Sequence, residues 1–179
     1  MKKVLCAVMA AATIGLCFTS CSKKAEEGYI TIESKTCDFT FDYPESWAET
    51  YKDGMLSVAK LGDVSNANMV GFSFYHGLEN VPSSMEYWET YKAQLEETFK
   101  NVEFSEVKPI ELGNAEQAHA VYTVTVGDEV FEKETVLIVY GEKVYTLTLT
   151  QGTRNGEKVE GYEDYSSEFL KSVKTFRIK

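Results

Sequence analysis

From Tyr29 to the end of the chain, apolar residues recur either at every second position or at helical spacing. Tyr29-Ile30-Thr31-Ile32 is strand-prone throughout, and Phe39, Phe41 and Tyr43 share one face of a second strand with Thr40 and Asp42 between them. Pro44 ends that strand, because proline lacks the amide donor and fixes φ. Asp53-Gly54 marks a turn before a short strand from Met55 to Ala59. A polar loop, Gly62 to Asn68, leads into a strand over 69–75 with Val70, Phe72 and Phe74 on one face. Met85, Trp88, Tyr91, Leu95, Phe99 and Val102 then follow at spacings of 3, 3, 4, 4 and 3, which is a helix with one apolar face. Ser83 or Ser84 caps its start, and Glu86, Glu89, Thr90, Ala93 and Glu97 fall on the opposite side.

After Pro109 three strands, 119–126, 130–140 and 144–150, are separated by Gly127-Asp128 and Gly141-Glu142. Glycine followed by a polar residue suits a tight type II′ turn, so these form an antiparallel meander. Val136 to Val139 is apolar on both faces, as expected for a central strand covered above and below. Tyr145, Leu147 and Leu149 instead alternate with Thr146, Thr148 and Thr150. Gln151 to Gly161 reads as a polar, glycine-punctuated loop. Tyr162, Tyr165, Phe169 and Val173 give a second amphipathic helix at spacings of 3, 4 and 4, and Thr175 to Ile178 closes the chain as a strand. The order predicts an α+β domain over residues 29–179, a mainly antiparallel sheet with helices on both faces.

Two short motifs carry a family resemblance. Phe41-Asp42-Tyr43-Pro44-Glu45-Ser46-Trp47 resembles the aromatic-x-Tyr-Pro-x-x-Trp opening of PsbP/DcrB-like domains. Phe169 to Val173 followed by Lys174-Thr175-Phe176 is similar to that family's last helix and strand, where Ser-Phe is commoner than Thr-Phe. The resemblance implies an αβα sandwich. It carries no catalytic residue onto this chain, since members range from photosystem assembly factors to bacterial lipoproteins.

The amino terminus has its own pattern. Met1-Lys2-Lys3 precedes fifteen mostly apolar residues, Val4 to Phe18, fewer than the roughly 20 that a membrane-spanning helix needs. A basic start, a short apolar run and small residues form a secretory signal peptide over residues 1–20. Thr19 and Ser20 before Cys21 resemble a bacterial lipobox, with Phe18 three residues before the cysteine where Leu is usual. The resemblance implies a mature chain that starts at Cys21 and carries lipid on its thiol. An ordinary signal peptide cut near the same place, leaving Cys21 a plain thiol, is the alternative. Residues 21–28 then form a tether reaching only about 15 Å, with Lys23 and Lys24 against anionic headgroups. The expected location is extracytoplasmic, lipid-anchored in the cell membrane or outer membrane, Ser22 resembling an outer-membrane sorting signal.

The chain has 18 basic against 28 acidic residues, and cleavage after Ser20 removes Lys2 and Lys3. Nucleic acid is therefore not an expected partner, because that affinity rests on neutralising phosphates. Cys6 and Cys17 leave with the signal peptide, and Cys21 carries the lipid. Cys37 is left as a single thiol, read as a small buried residue beside the first strands, with a reactive site or an intermolecular disulfide as the alternative. His76 and His119 are the only imidazoles, and neither belongs to a nucleophile motif or has metal-ligand spacing. The carboxylates Asp128, Glu129, Glu132 and Glu134 about one hairpin, with Glu163 and Asp164 before the last helix, read as a solvated acidic edge and a favoured helix start. No metal or cofactor is expected. Trp47, Tyr162 and Tyr165 are the candidate contact residues for a partner or ligand.

Together these features favour a non-enzymatic, membrane-tethered lipoprotein that binds a protein partner of the cell envelope. The alternative is a carrier holding a small apolar ligand between sheet and helix. Substituting Cys21→Ala should abolish labelling of the protein by radioactive palmitate; label retained by the variant would rule the lipobox out.

Overall fold

Hairpins order this chain more than helices do. The computed structural model describes residues 25–32, 34–50, 54–127, 129–154, 157–158 and 160–179. The signal peptide, Cys21, Lys23, Lys24, Asp53 and Asp128 lie outside the described residues. Eleven strands and two helices occur among those described. In chain order they are β1 (Tyr29–Ile32), β2 (Phe39–Pro44), β3 (Ala48–Glu49), β4 (Met55–Ala59), β5 (Asn68–Tyr75) and α1 (Ser84–Thr98). There follow β6 (Val102–Phe104), β7 (Lys108–Leu112), β8 (Ala115–Val126), β9 (Glu129–Tyr140), β10 (Lys143–Arg154), α2 (Ser166–Lys174) and β11 (Arg177–Ile178).

The expected meander is present as β8, β9 and β10, each twelve residues long. Its turns place Gly127 at φ 65° and Gly141 at φ 59°, the left-handed backbone that tight hairpins require. The last strand exceeds the expected length, with Gln151 to Arg154 pairing with Glu132 to Glu129 rather than looping out. Gly152 stands there because a chain passes over it. Its amide donates to the Ser65 carbonyl at 2.6 Å, and a Cβ would come within 3.3 Å of the Phe131 ring. The large sheet runs β3-β4-β5-β10-β9-β8-β6, with β7 also paired to β8, and all its pairings are antiparallel. A second sheet, β1-β2-β11, has three strands.

One face of the large sheet carries α1. A capping box starts the helix, Ser83 accepting from the Glu86 amide and Glu86 accepting from the Ser83 amide. Ser84 then fixes its place, donating to Gln117 at 2.5 Å and accepting from the Val139 amide at 2.8 Å. Tyr87, Trp88, Tyr91 and Leu95 pack on Ala118, Ala120, Tyr122, Val124, Leu137 and Val144.

The other face corrects the expected sandwich: the fold is not a sheet with a helix layer on each side. The small sheet covers it, with Phe39, Phe41 and Tyr43 packed against Leu56, Met69, Val136, Tyr145 and Leu147. With nine residues, α2 is only about 14 Å long, too short to roof a sheet of this width. It packs Phe169 and Val173 into the same core, mainly against β2. All six residues of β2 are buried, Thr40 and Asp42 included. Asp42 on the outward side accepts from Thr31 at 2.7 Å and from Arg177 at 3.1 and 3.2 Å, so its charge is paired. Its amide donates to Thr175 at 2.8 Å.

The two sheets touch at Gly71. A Cβ there would lie 2.8 Å from the Phe39 ring and 3.3 Å from the Phe41 ring. Gly71→Ala should therefore destabilise the protein by about 1–3 kcal/mol through overpacking, read as a lower midpoint in urea unfolding. An unchanged or higher midpoint would show that the sheets are not in close contact.

Candidate functional site

Helix α1 lies over β8 and β9 and stops short of β5, so Phe72 and Phe74 are only half-buried. Between helix and strand an open groove of about 340 Å³ is lined by Phe72 and Phe74 from the sheet and Tyr91, Gln94, Leu95 and Thr98 from the helix. Phe72 and Phe74 stack with ring centroids 5.9 Å apart, and Tyr87 closes one end 6.4 Å from Phe74. Trp88, beneath the wall, holds Tyr91 at 5.7 Å. Burial pushes the Tyr91 hydroxyl well above the usual tyrosine range, and it shares a hydrogen bond with Tyr122. A groove of this size with apolar walls and a few polar groups is the ordinary form of a small-ligand site.

The residues singled out by sequence are dispersed. Trp47 and Tyr165 meet edge to face at 5.2 Å, and at 5% and 6% exposure they form core rather than a groove mouth. Tyr162 is half-buried beneath the Lys158 ammonium, 4.7 Å from the ring centroid. Burial first, then Glu132, Asp164 and Asp63, push its hydroxyl up to about 12. Cys37 is buried in the core behind the small sheet, as its surroundings suggested.

Both histidines are committed. His76 Nδ1 accepts from the Leu78 amide at 3.0 Å, so Nε2 carries the proton donated to the Gly141 carbonyl at 2.9 Å. His119 Nε2 lies 2.8 Å from Glu134 Oε1, while the second carboxylate oxygen of Glu134 is buried without a partner. Glu129 is exposed at the end of β9, whereas Glu132 and Glu134 are withdrawn to different degrees. Asp164 accepts from the Ser166 amide at 3.0 Å, and that bond holds its carboxyl below the usual range at the start of α2. Glu163 accepts from the Tyr165 hydroxyl at 2.7 Å. No group of three or more metal-ligating side chains gathers among the described residues.

The groove was missed for a definable reason. The apolar spacing of Phe72, Tyr91 and Leu95 identifies a core-facing side but not how far sideways the helix sits. No single residue type marks that offset.

No protein-family model and no curated protein matches the sequence. Solved structures do match. A protein of Bacteroides thetaiotaomicron VPI-5482 superposes with a TM-score of 0.55 at 13% identity over 83% of this chain, which spans only 48% of that protein. The Ran-binding protein Mog1p of Saccharomyces cerevisiae gives 0.60 at 10% identity, covering 84% of this chain and 95% of that one. A point mutant of Mog1 gives 0.59 at 9% identity over 84% and 95%. Likeness at such identities establishes architecture: the domain has the PsbP/Mog1-like fold.

Proposed function

We propose that the protein is a non-catalytic binding module, tethered by lipid on Cys21 to an extracytoplasmic membrane surface, that docks a protein partner of the cell envelope. The observation that carries the docking reading is an exposed apolar patch at one end of the large sheet. Tyr75, Leu78 and Tyr140 are exposed by 68%, 49% and 39%. Tyr75 and Tyr140 both stand opposite Lys143, on β5 and β9, and the Lys143 ammonium lies 5.3 Å from the Tyr75 ring centroid. His76, bonded to the β9–β10 turn, holds the following segment with Leu78 beside them.

The patch is pinned from below. Lys143 pairs with Asp38 at 2.5 Å, and Asp38 also accepts from Tyr145 at 3.0 Å and Ser73 at 3.3 Å. Burial works against the Asp38 charge, but the bonds from Lys143 and Tyr145 prevail and hold its carboxyl below the usual range. A rigid aromatic surface with a charged rim is a form that protein interfaces favour. Mog1p, which shares this architecture, is a Ran-binding protein, and that supports a binding role here. A tether reaching about 15 Å would keep the patch near envelope partners.

Crosslinking of the full-length protein in its native membranes should recover a specific partner. Replacing Tyr75→Ser together with Tyr140→Ser should weaken that association by about 2 kcal/mol, roughly thirtyfold. Recovery of no specific partner, or of one indifferent to the double substitution, would contradict the proposal.

A further inference from the structure

The direction of β2 tells the two ends of the large sheet apart. Asp38, just before β2, accepts from the Ser73 hydroxyl at 3.3 Å, and the Phe39 and Phe41 rings lie over Gly71. Since β5 runs from Asn68 to Tyr75, β2 runs the other way, from the Tyr75 end toward the loop that joins β4 to β5. The tether enters at that loop end: the Glu45 amide, one residue after β2, donates to the Gly28 carbonyl at 2.9 Å. Strand β3 then pairs Ala48 with Ala59, the last residue of β4 before the loop. Tyr75 stands at the far end, about 25 Å away along the eight residues of β5.

The loop, residues 60–67, holds aliphatic side chains in water on a fixed backbone. The Lys60 amide donates to the Ala67 carbonyl at 2.9 Å, and the Gly152 amide donates to the Ser65 carbonyl at 2.6 Å. The Asn66 amide donates to the Asp63 carbonyl at 3.3 Å, with Asn66 in the left-handed region at φ 48°. Ser65 and Ala67 are fully buried by this anchoring, whereas Leu61 and Val64 are 68% and 50% exposed. The loop's carboxylate is drawn back. Asp63 is half-buried and accepts from the Ser65 hydroxyl, and after burial and Glu163 it raises the Tyr165 hydroxyl. The exposed positions between residues 61 and 67 are therefore Leu61, Gly62, Val64 and Asn66, none of them charged, in a chain of 18 basic and 28 acidic residues. A fixed loop that exposes aliphatics and withholds charge suits an apolar medium.

We infer that the β4–β5 loop is seated in the lipid bilayer, with Leu61 and Val64 among the acyl chains just below the headgroups. This rests on the lipid tether proposed above, whose reach of about 15 Å brings the bilayer to the end of the domain that carries the loop. Two aliphatic side chains alone hold lipid weakly, and the tether supplies the local concentration that makes the contact persist. Entry is apolar rather than electrostatic, so a zwitterionic surface suffices. Seated in this way, the module stands on its loop and presents Tyr75, Leu78 and Tyr140 away from the lipid.

The test uses full-length protein purified from its own membranes and reconstituted in phosphatidylcholine vesicles, with acyl chains brominated close to the headgroup. Trp47 and Trp88 are buried, so quenching by bromine reports on a tryptophan introduced at an exposed position. Leu61→Trp should add emission that shifts to the blue on reconstitution and is lost to the bromines, whereas Tyr75→Trp should show neither change. Adding Val64→Asp to Leu61→Trp should restore the emission while leaving the thermal midpoint unchanged, since both positions face solvent. Emission from Leu61→Trp that bromine leaves untouched would overturn the inference. A blue shift without quenching would overturn it too, by placing a second copy of the chain on the loop, and so would equal quenching at 61 and 75. Flotation of the vesicles separates this reading from the tether: protein that floats unquenched contradicts loop seating alone, and protein that does not float contradicts tether and loop together.

Discussion

The contact of the Phe39 and Phe41 rings with the bare backbone of Gly71 is the constraint on which the architecture depends. It brings a three-stranded sheet flat onto an eight-stranded one, so β2 is enclosed on both sides. Enclosure from the outer side needs a polar solution, because Asp42 points that way. Thr31 from β1 and Arg177 from β11 supply it, and the same bonds tie the first and last strands to the middle one. Thr40, the other outward residue, donates to the Ile32 carbonyl. Burying a charge is tolerable when it is paired and hydrogen-bonded, and here the pairing also joins the chain's two ends.

That arrangement decides where functional surface remains. Since the small sheet and α2 occupy one face, α1 has the other to itself and sits over β8 and β9, where Ala118 and Ala120 admit its aromatic row. An open groove remains between α1 and β5, lined by Phe72 and Phe74 from the sheet and by Tyr91, Gln94, Leu95 and Thr98 from the helix. Meanwhile Tyr75 and Tyr140, the last residues of β5 and β9, and Leu78 in the segment after β5 stay exposed at one end of the sheet. The two candidate surfaces thus arise from one cause, a helix too narrow and a second sheet too small to cover the large one completely.

Much of this was legible in the sequence, and what was not has physical reasons. The meander, the Ser83 cap and the two-sided burial of Val136 to Val139 follow from local pattern, because turn glycines, capping side chains and double-faced strands act over a few residues. The partner of a face does not. Phe39, Phe41 and Tyr43 show that β2 buries one side, but nothing local says that it covers a different sheet, and Thr40 and Asp42 look wet until Arg177, 135 residues away from Asp42, is seen to reach the carboxylate. Short strands such as β3, β6 and β7 were invisible because pairing with a longer neighbour, rather than their own pattern, makes them strands. Among the site residues, Trp47 and Tyr165 were legible as aromatic and misplaced as surface. The groove and the end patch depend on lateral offsets between elements, which periodicity does not encode.

The account stands on β2 being part of one cooperative core rather than a flap laid over an independent sheet. Native-state amide hydrogen exchange tests this directly. The amides of residues 40–43 in β2 should exchange only on global unfolding, with the same free energy as those of residues 136–139 in β9. Exchange of the β2 amides through a separate, much cheaper opening, while β9 stays protected, would contradict it.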